Sequence, residues 1–191
     1  MELIEKSVNG KIQNVFDKAD CLHNLEAVET ALDKMAVAII EQLKDRNPLI
    51  ICVMVGALIP TGHLLTRLNF PLEVDYIHAT RYRDQTRGGD LHWLVEPRQS
   101  LKNRTVLIVD DILDGGITLA AIIDYCKQAE AAEVLTAVMV NKVREREPGG
   151  DFIPDFVGLE TEDRYLFGFG LDYKGYLRNA PGIYAVAKEH Q

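Results

Sequence analysis

The sequence predicts an α/β fold: a mainly parallel sheet flanked by helices, with a small irregular hood. Three observations carry that expectation. Short apolar runs rich in β-branched residues recur at 49–55, 105–109 and 134–140, as strands buried on both faces do. Segments with helical spacing alternate with these runs, which is the pattern of a parallel sheet. From Glu147 onward the chain carries Pro148, Gly149, Gly150, Pro154, Pro181 and Gly182 between short aromatic pieces, and reads as a cap on the sheet.

Between 24 and 44 the residues Leu25, Val28, Leu32, Met35, Ile39 and Leu43 recur at three- and four-residue steps, so an amphipathic helix is expected there. Asn24 can cap it and Asn47-Pro48 ends it. The run LIICVMV at 49–55 is the first buried strand, followed by Gly56-Ala57 and a helical stretch over 60–68. A second strand is expected over 72–78, and the polar, glycine-containing RYRDQTRGGD at 81–90 reads as a loop. Strand 105–109, helix 117–128 and strand 134–140 complete the core. The whole of 1–191 is then one domain, with a core over about 24–146 and a hood built from the N-terminal segment and 147–191.

Composition fits this reading. A chain of 191 residues with 47% hydrophobic content fills one domain and is short for two. The formal net charge is −8, whereas duplex-binding proteins usually show a basic face. The densest basic cluster, Lys142, Arg144 and Arg146, is interleaved with Glu145 and Glu147, so no nucleic-acid partner is expected. Cys21, Cys52 and Cys126 are far apart and show neither disulfide nor zinc spacing. The N-terminal residues are polar, and no run approaches the apolar length of a membrane span. A cytoplasmic chain without a membrane partner is the expectation.

Chemistry concentrates in VLIVDDILDGGIT at 106–118. A buried strand runs into Asp110 and Asp111; a turn with Asp114, Gly115 and Gly116 then opens a helix near Thr118. In an open parallel sheet, ligands bind at the C-terminal ends of strands. Glycines admit a ligand close to the backbone, and the helix N-terminus directs N–H groups at it. Ionised aspartates only accept hydrogen bonds, which suits sugar hydroxyls or hydrated magnesium. A plain acidic turn and helix cap would leave the repulsion among three aspartates unbalanced. The same letters spell the DDxxD of isoprenoid synthases, but that motif sits on a long helix, not at the end of a strand. Neither GxGxxG nor GxxxxGK[ST] occurs at this turn.

This segment resembles the phosphoribosyl pyrophosphate motif of type I phosphoribosyltransferases: four apolar residues, two acidic ones, a short turn, then small residues and Thr. The likeness extends from about Ile50 to the end of the chain. Pro154-Asp155-Phe156-Val157-Gly158, Phe169-Gly170-Leu171-Asp172-Tyr173 and Arg178 resemble the hypoxanthine-guanine branch. The resemblance implies the type I phosphoribosyltransferase fold and a magnesium-dependent purine salvage enzyme. Such an enzyme moves the 5-phosphoribosyl group to N9 of hypoxanthine or guanine and releases pyrophosphate. The competing reading is a regulator that kept the ligand pocket and binds nucleic acid.

Residue by residue, the resemblance implies that Asp110 and Asp111 hold the ribose hydroxyls, directly or through magnesium. Gly115, Gly116, Ile117 and Thr118 would wrap the 5′-phosphate, and Asp114 would accept the proton of purine N7. Val55 and Gly56 match the pyrophosphate loop, where relatives often carry Lys in place of Val55 and a cis peptide, here Met54–Val55. Gly115 stands where relatives often carry Thr. Lys142 would donate to a 6-oxo group, Tyr165 would stack on the purine, and Leu166 would offer backbone groups to it. Asp172 would approach the purine 2-position and a second magnesium, making Asp110, Asp111 and Asp172 the metal-facing carboxylates. Arg178 would reach pyrophosphate, and Arg81-Tyr82 would belong to a closing lid. A homodimer or homotetramer is likewise implied.

Overall fold

The computed structural model describes residues 7–81 and 91–190. Helix α1 (Val8–Asp17) precedes strand β1 (Asp20–Asn24) and helix α2 (Leu25–Leu43). Strand β2 (Leu49–Met54), helix α3 (Leu58–Leu65) and strands β3 (Glu73–Arg81) and β4 (Leu91–Val95) follow. Strand β5 (Thr105–Leu113), helix α4 (Ile117–Gln128) and strand β6 (Glu133–Lys142) form the centre. Strands β7 (Phe156–Thr161), β8 (Leu166–Phe167) and β9 (Gly182–Ala185), with a terminal 3₁₀ turn, complete the chain.

Six strands form the main sheet in the order β4-β3-β2-β5-β6-β7. Its inner pairs are parallel, and β4 alone runs antiparallel, against β3. Because side chains alternate along a strand, each central strand feeds two cores. Ile50, Leu107 and Val109 pack with Val28, Leu32, Met35 and Ile39 of α2. Leu49, Ile51, Val106 and Ile108 pack with Leu119, Ile122 and Cys126 of α4. The double burial read from the apolar runs is therefore present.

The cap on α2 forms as its sequence demands: the Asn24 side chain accepts the Ala27 N–H. Satisfying one orphan donor this way contributes about 1 kcal/mol. Helix α4 coincides with the stretch expected over 117–128.

Two boundaries differ from expectation. The strand expected to end at Val109 continues to Leu113, so the acidic pair lies inside β5. The hood was expected to begin near 147, yet β7 pairs in parallel with β6 from Ala137↔Phe156 to Lys142↔Thr161. Asp155 anchors that sixth strand, its carboxylate accepting both the N–H and the hydroxyl of Thr136 at 2.8 and 2.9 Å. A hood remains, as the antiparallel sheet β1-β9-β8 with α1 packed beneath it through Val15 and Phe16.

Candidate active site

The site opens where two strands part. β2 pairs with β5 only as far as Cys52↔Val109, while β5 continues beside β6 to Leu113↔Asn141. Asp110 and Asp111 are the first residues of β5 beyond its pairing with β2. Such a crevice at carboxyl ends of parallel strands is where ligands settle. Asp110 is 8% exposed. Burial, and after it the charge of Asp111, push its carboxyl well above the ordinary carboxylate range. Burial raises Asp111 as well, opposed in part by its hydrogen bond with Asp110 and then by Arg178. A buried and a partly buried carboxylate side by side call for a cation or a hydroxyl-rich ligand.

After Leu113 the chain turns through Asp114, Gly115 and Gly116 into α4. Gly116 takes φ of 84°, a left-handed conformation that glycine adopts at no steric cost. It is the N-cap of α4, and no side chain caps that helix end. Asp114 is therefore not the helix cap that its position would otherwise suggest. The back of the turn is held by the segment after β6. Arg146 donates to the carbonyls of Leu113 and Asp114 at 3.2 and 2.7 Å and also bonds the Asn141 side chain. The Glu147 N–H donates to the Gly115 carbonyl at 3.1 Å. A Cβ on Gly115 would stand 2.7 Å from the carboxyl carbon of Glu147. A side chain at 115 would therefore require the exposed Glu147 carboxylate to move aside.

Lys142 closes β6 and is buried, with 7% of its side chain exposed. Its ammonium lies 3.1 Å from Asp114 Oδ2 and 3.3 Å from Asp163 Oδ1. Arg144 spans the same two carboxylates, at 2.9 Å from Asp114 Oδ1 and 3.5 Å from Asp163 Oδ2. Two residues beyond Asp163, Tyr165 packs its ring against Tyr173 at 5.6 Å and accepts the Lys174 N–H at 3.4 Å. Leu166 is buried in β8 opposite Ala185.

A second cluster joins hood and core. Arg178 binds Asp172 Oδ1 at 2.7 Å and the Gly170 carbonyl at 2.6 Å, and comes within 4.0 Å of Asp111 Oδ2. The other Asp172 oxygen accepts the Gly175 N–H at 2.7 Å. Gly56 packs directly on Asp111. The Met54–Val55 peptide is cis, as the resemblance implied, and Val55 itself is 45% exposed. Arg81 ends β3, and Tyr82 lies outside the described residues.

The structure thus brings Asp114 together with Lys142, and Asp111 together with Gly56 and Arg178. Arg144, Arg146 and Asp163 were not singled out by sequence reasoning. In the sequence Arg144 and Arg146 sit in a mixed charge run and Asp163 lies well apart from it, and nothing in their spacing shows that they meet at Asp114 and Lys142. Among the described residues, no three His, Cys, Asp or Glu side chains converge as a ready-made metal site. Also among them, no helix is long and apolar enough to cross a membrane.

Comparison with known proteins agrees with this geometry. Residues 18–174 match the phosphoribosyl transferase domain. The hypoxanthine-guanine-xanthine phosphoribosyltransferase of Tritrichomonas foetus is 30% identical over 168 residues, 88% of this chain and 91% of that protein. The hypoxanthine-guanine phosphoribosyltransferase of Bacillus subtilis is 28% identical over 159 residues, covering 83% and 87% of the two chains. Among solved structures, hypoxanthine phosphoribosyltransferase from Trypanosoma cruzi in complex with the product IMP superimposes with a TM-score of 0.82. It is 26% identical, with coverage of 90% of this chain and 95% of that one. On the strand-end aspartates, the glycine turn and these likenesses together, the chain belongs to the phosphoribosyl transferase domain family, in its hypoxanthine-guanine branch.

Proposed function

We propose that this chain catalyses transfer of the 5-phosphoribosyl group from phosphoribosyl pyrophosphate to N9 of hypoxanthine or guanine, giving IMP or GMP and pyrophosphate. One observation carries the base assignment. The Lys142 ammonium and the Asp114 carboxylate stand 3.1 Å apart. This donor beside an acceptor complements the 6-oxo group and the N7–H of a 6-oxopurine, which lie side by side on the ring. An ammonium cannot accept a hydrogen bond, so a 6-amino group loses this contact.

In this reading Asp110 and Asp111 take the ribose hydroxyls, and Gly115, Gly116, Ile117 and Thr118 receive the 5′-phosphate at the α4 N-terminus. As the bond to pyrophosphate breaks, positive charge develops on the ribosyl carbon. N9 attacks from the opposite face with inversion, and Asp114 takes the N7 proton. Arg178 offers a forked guanidinium to the pyrophosphate, Tyr165 and Leu166 flank the base, and Asp172 faces its 2-position. Catalysis then rests on orientation and on charges fixed before the reaction.

Magnesium fits the residues present: Asp110 and the partly buried Asp111 disfavour each other's ionisation, and a cation would offset that. Magnesium is usually held by one or two carboxylates together with substrate oxygens and water, so a site without three converging side chains suits it. Bound there, it would supply charge neutralisation of the pyrophosphate leaving group. Asp172, paired with Arg178, is the third carboxylate to which we assign a metal-facing role. We further assign the chain to the cytoplasm, without membrane or nucleic-acid partners, and to a homodimer or homotetramer.

A base panel tests the reading. Pyrophosphate release is followed with phosphoribosyl pyrophosphate, magnesium and each of hypoxanthine, guanine, xanthine and adenine, alongside Asp114→Asn. Turnover with hypoxanthine or guanine is expected, falling by about 10²- to 10⁴-fold in the variant, the usual worth of a positioned general base. Turnover with adenine alone overturns the base assignment. Absence of turnover with every base, despite binding of phosphoribosyl pyrophosphate, favours the regulator.

A further inference from the structure

Arg144 and Asp163 have no place in the scheme above, yet both contact its central pair. Together, Lys142, Asp114, Arg144 and Asp163 close a ring of alternating charge, with contacts of 3.1, 2.9, 3.5 and 3.3 Å around it. Both carboxylates are 45% exposed and Arg144 is 34% exposed, whereas Lys142 is 7% exposed. Exposed ion pairs contribute little to folding, so the ring is poorly explained as a staple of the fold. A buried ammonium, by contrast, needs its charge matched.

The ring also fixes directions. An ammonium has three N–H donors. Asp114 accepts a hydrogen bond from one of them at 3.1 Å, while Asp163 holds the ammonium from a second side as an ion-pair partner at 3.3 Å, and the remaining donors define where an oxygen can bind. On the other side, Arg144 holds Asp114 Oδ1 while Oδ2 faces Lys142. Without Asp163, the ammonium would have a single carboxylate partner and would swing towards it. Without Arg144, the Asp114 carboxylate could rotate about its own axis.

We propose that Arg144 and Asp163 are positioning residues of the purine site. Asp163 holds the Lys142 ammonium between two carboxylates so that a donor faces the 6-oxo oxygen, and Arg144 sets the plane of the Asp114 carboxylate that meets N7. The two act through Lys142 and Asp114 and touch neither phosphate nor ribose. The proposal rests on the 6-oxopurine reading of the site.

The test is steady-state kinetics on the full chain and on Asp163→Ala, Asp163→Asn, Arg144→Ala and Arg144→Lys. KM is measured separately for hypoxanthine and for phosphoribosyl pyrophosphate, with Tm recorded for each protein. The alanine variants are expected to raise the hypoxanthine KM by about ten- to hundredfold, the worth of one charged hydrogen bond. The KM for phosphoribosyl pyrophosphate and the Tm should stay near those of the unaltered protein. Asp163→Asn, which keeps an oxygen facing the ammonium, and Arg144→Lys, which keeps a donor facing Asp114, should recover part of the loss. Equal rises in both KM values, a base KM that does not change, or no recovery in the conservative variants overturns the proposal alone. Absence of turnover in the unaltered chain overturns the 6-oxopurine reading and the proposal with it.

Discussion

A Cβ on Gly56 would stand 2.7 Å from Asp111 Oδ1 and closer still to Oδ2, so the backbone after β2 and the carboxylate in β5 share one small space. Asp111 is partly buried and short, with little freedom to retreat. Replacing Gly56 with Ala is expected to displace that carboxylate and leave the sheet intact. A rise in KM for phosphoribosyl pyrophosphate of about tenfold or more should follow, since small misplacements at a reacting centre are costly. Circular dichroism should be unchanged, and an unchanged KM would argue against the contact.

Arg146 braces the phosphate turn from behind through the Leu113 and Asp114 carbonyls. Hydrogen bonds from a charged group are worth roughly 1.5–3 kcal/mol. Arg146→Ala should therefore weaken phosphoribosyl pyrophosphate binding by about tenfold or more, while affecting the base KM less. Arg146→Lys can restore one of the bonds but not the fork. Titration calorimetry with phosphoribosyl pyrophosphate would show whether the bracing matters.

Asp110 gives a pH dependence whose direction follows from its surroundings. Its carboxyl is held above the ordinary value of 3.8, first by burial and then by Asp111. The folded chain therefore keeps this proton at a pH where the unfolded chain has lost it. Its contribution to stability falls as pH rises from about 3.8 through the raised value, and the penalty persists above it. Asp110→Asn removes the penalty. At neutral pH the ligand-free variant should melt higher, by about 2–4 °C for each kcal/mol regained in a chain of this size. That advantage should shrink toward pH 4; a variant that melts lower at neutral pH would refute the argument.

The three thiols should separate in reactivity. Cys21 is exposed, whereas Cys52 and Cys126 are buried. Burial pushes both buried thiols up, Cys126 to about 11. Since the thiolate is the nucleophile, a thiol reagent at pH 8 should label Cys21 in the native protein and all three cysteines in denaturant. Labelled peptides identified by mass spectrometry provide the readout.

Local chemistry made parts of this structure legible. Asn24, the spacing of α2 and the glycines before α4 act on their immediate neighbours, and their consequences could be read directly. β1 could not be read this way, because DCLHN is a short polar edge strand with no periodic signal. β7 was hidden by the prolines and glycines around it; its place in the sheet depends on the bond between Asp155 and Thr136, which are 19 residues apart. At the site, Asp110, Asp111 and Asp114 stood out because strand, carboxylates and turn are contiguous. The convergence of Arg144, Arg146 and Asp163 on Asp114 and Lys142 is tertiary: it follows from where β6 ends, and charge spacing does not encode it.

One short stretch, from the last residue of β6 onward, holds both halves of the cleft. Lys142 and Arg144 face the Asp114 carboxylate, while Arg146 and Glu147 grip the backbone of the turn that carries it. Ordering either half lowers the entropy that remains to be lost at the other. If the turn takes the phosphate and the Lys142–Asp114 pair takes the base, as proposed, the two occupancies should be thermodynamically linked. Linkage is reciprocal: whatever factor phosphoribosyl pyrophosphate adds to the affinity for the base, the base adds to the affinity for phosphoribosyl pyrophosphate.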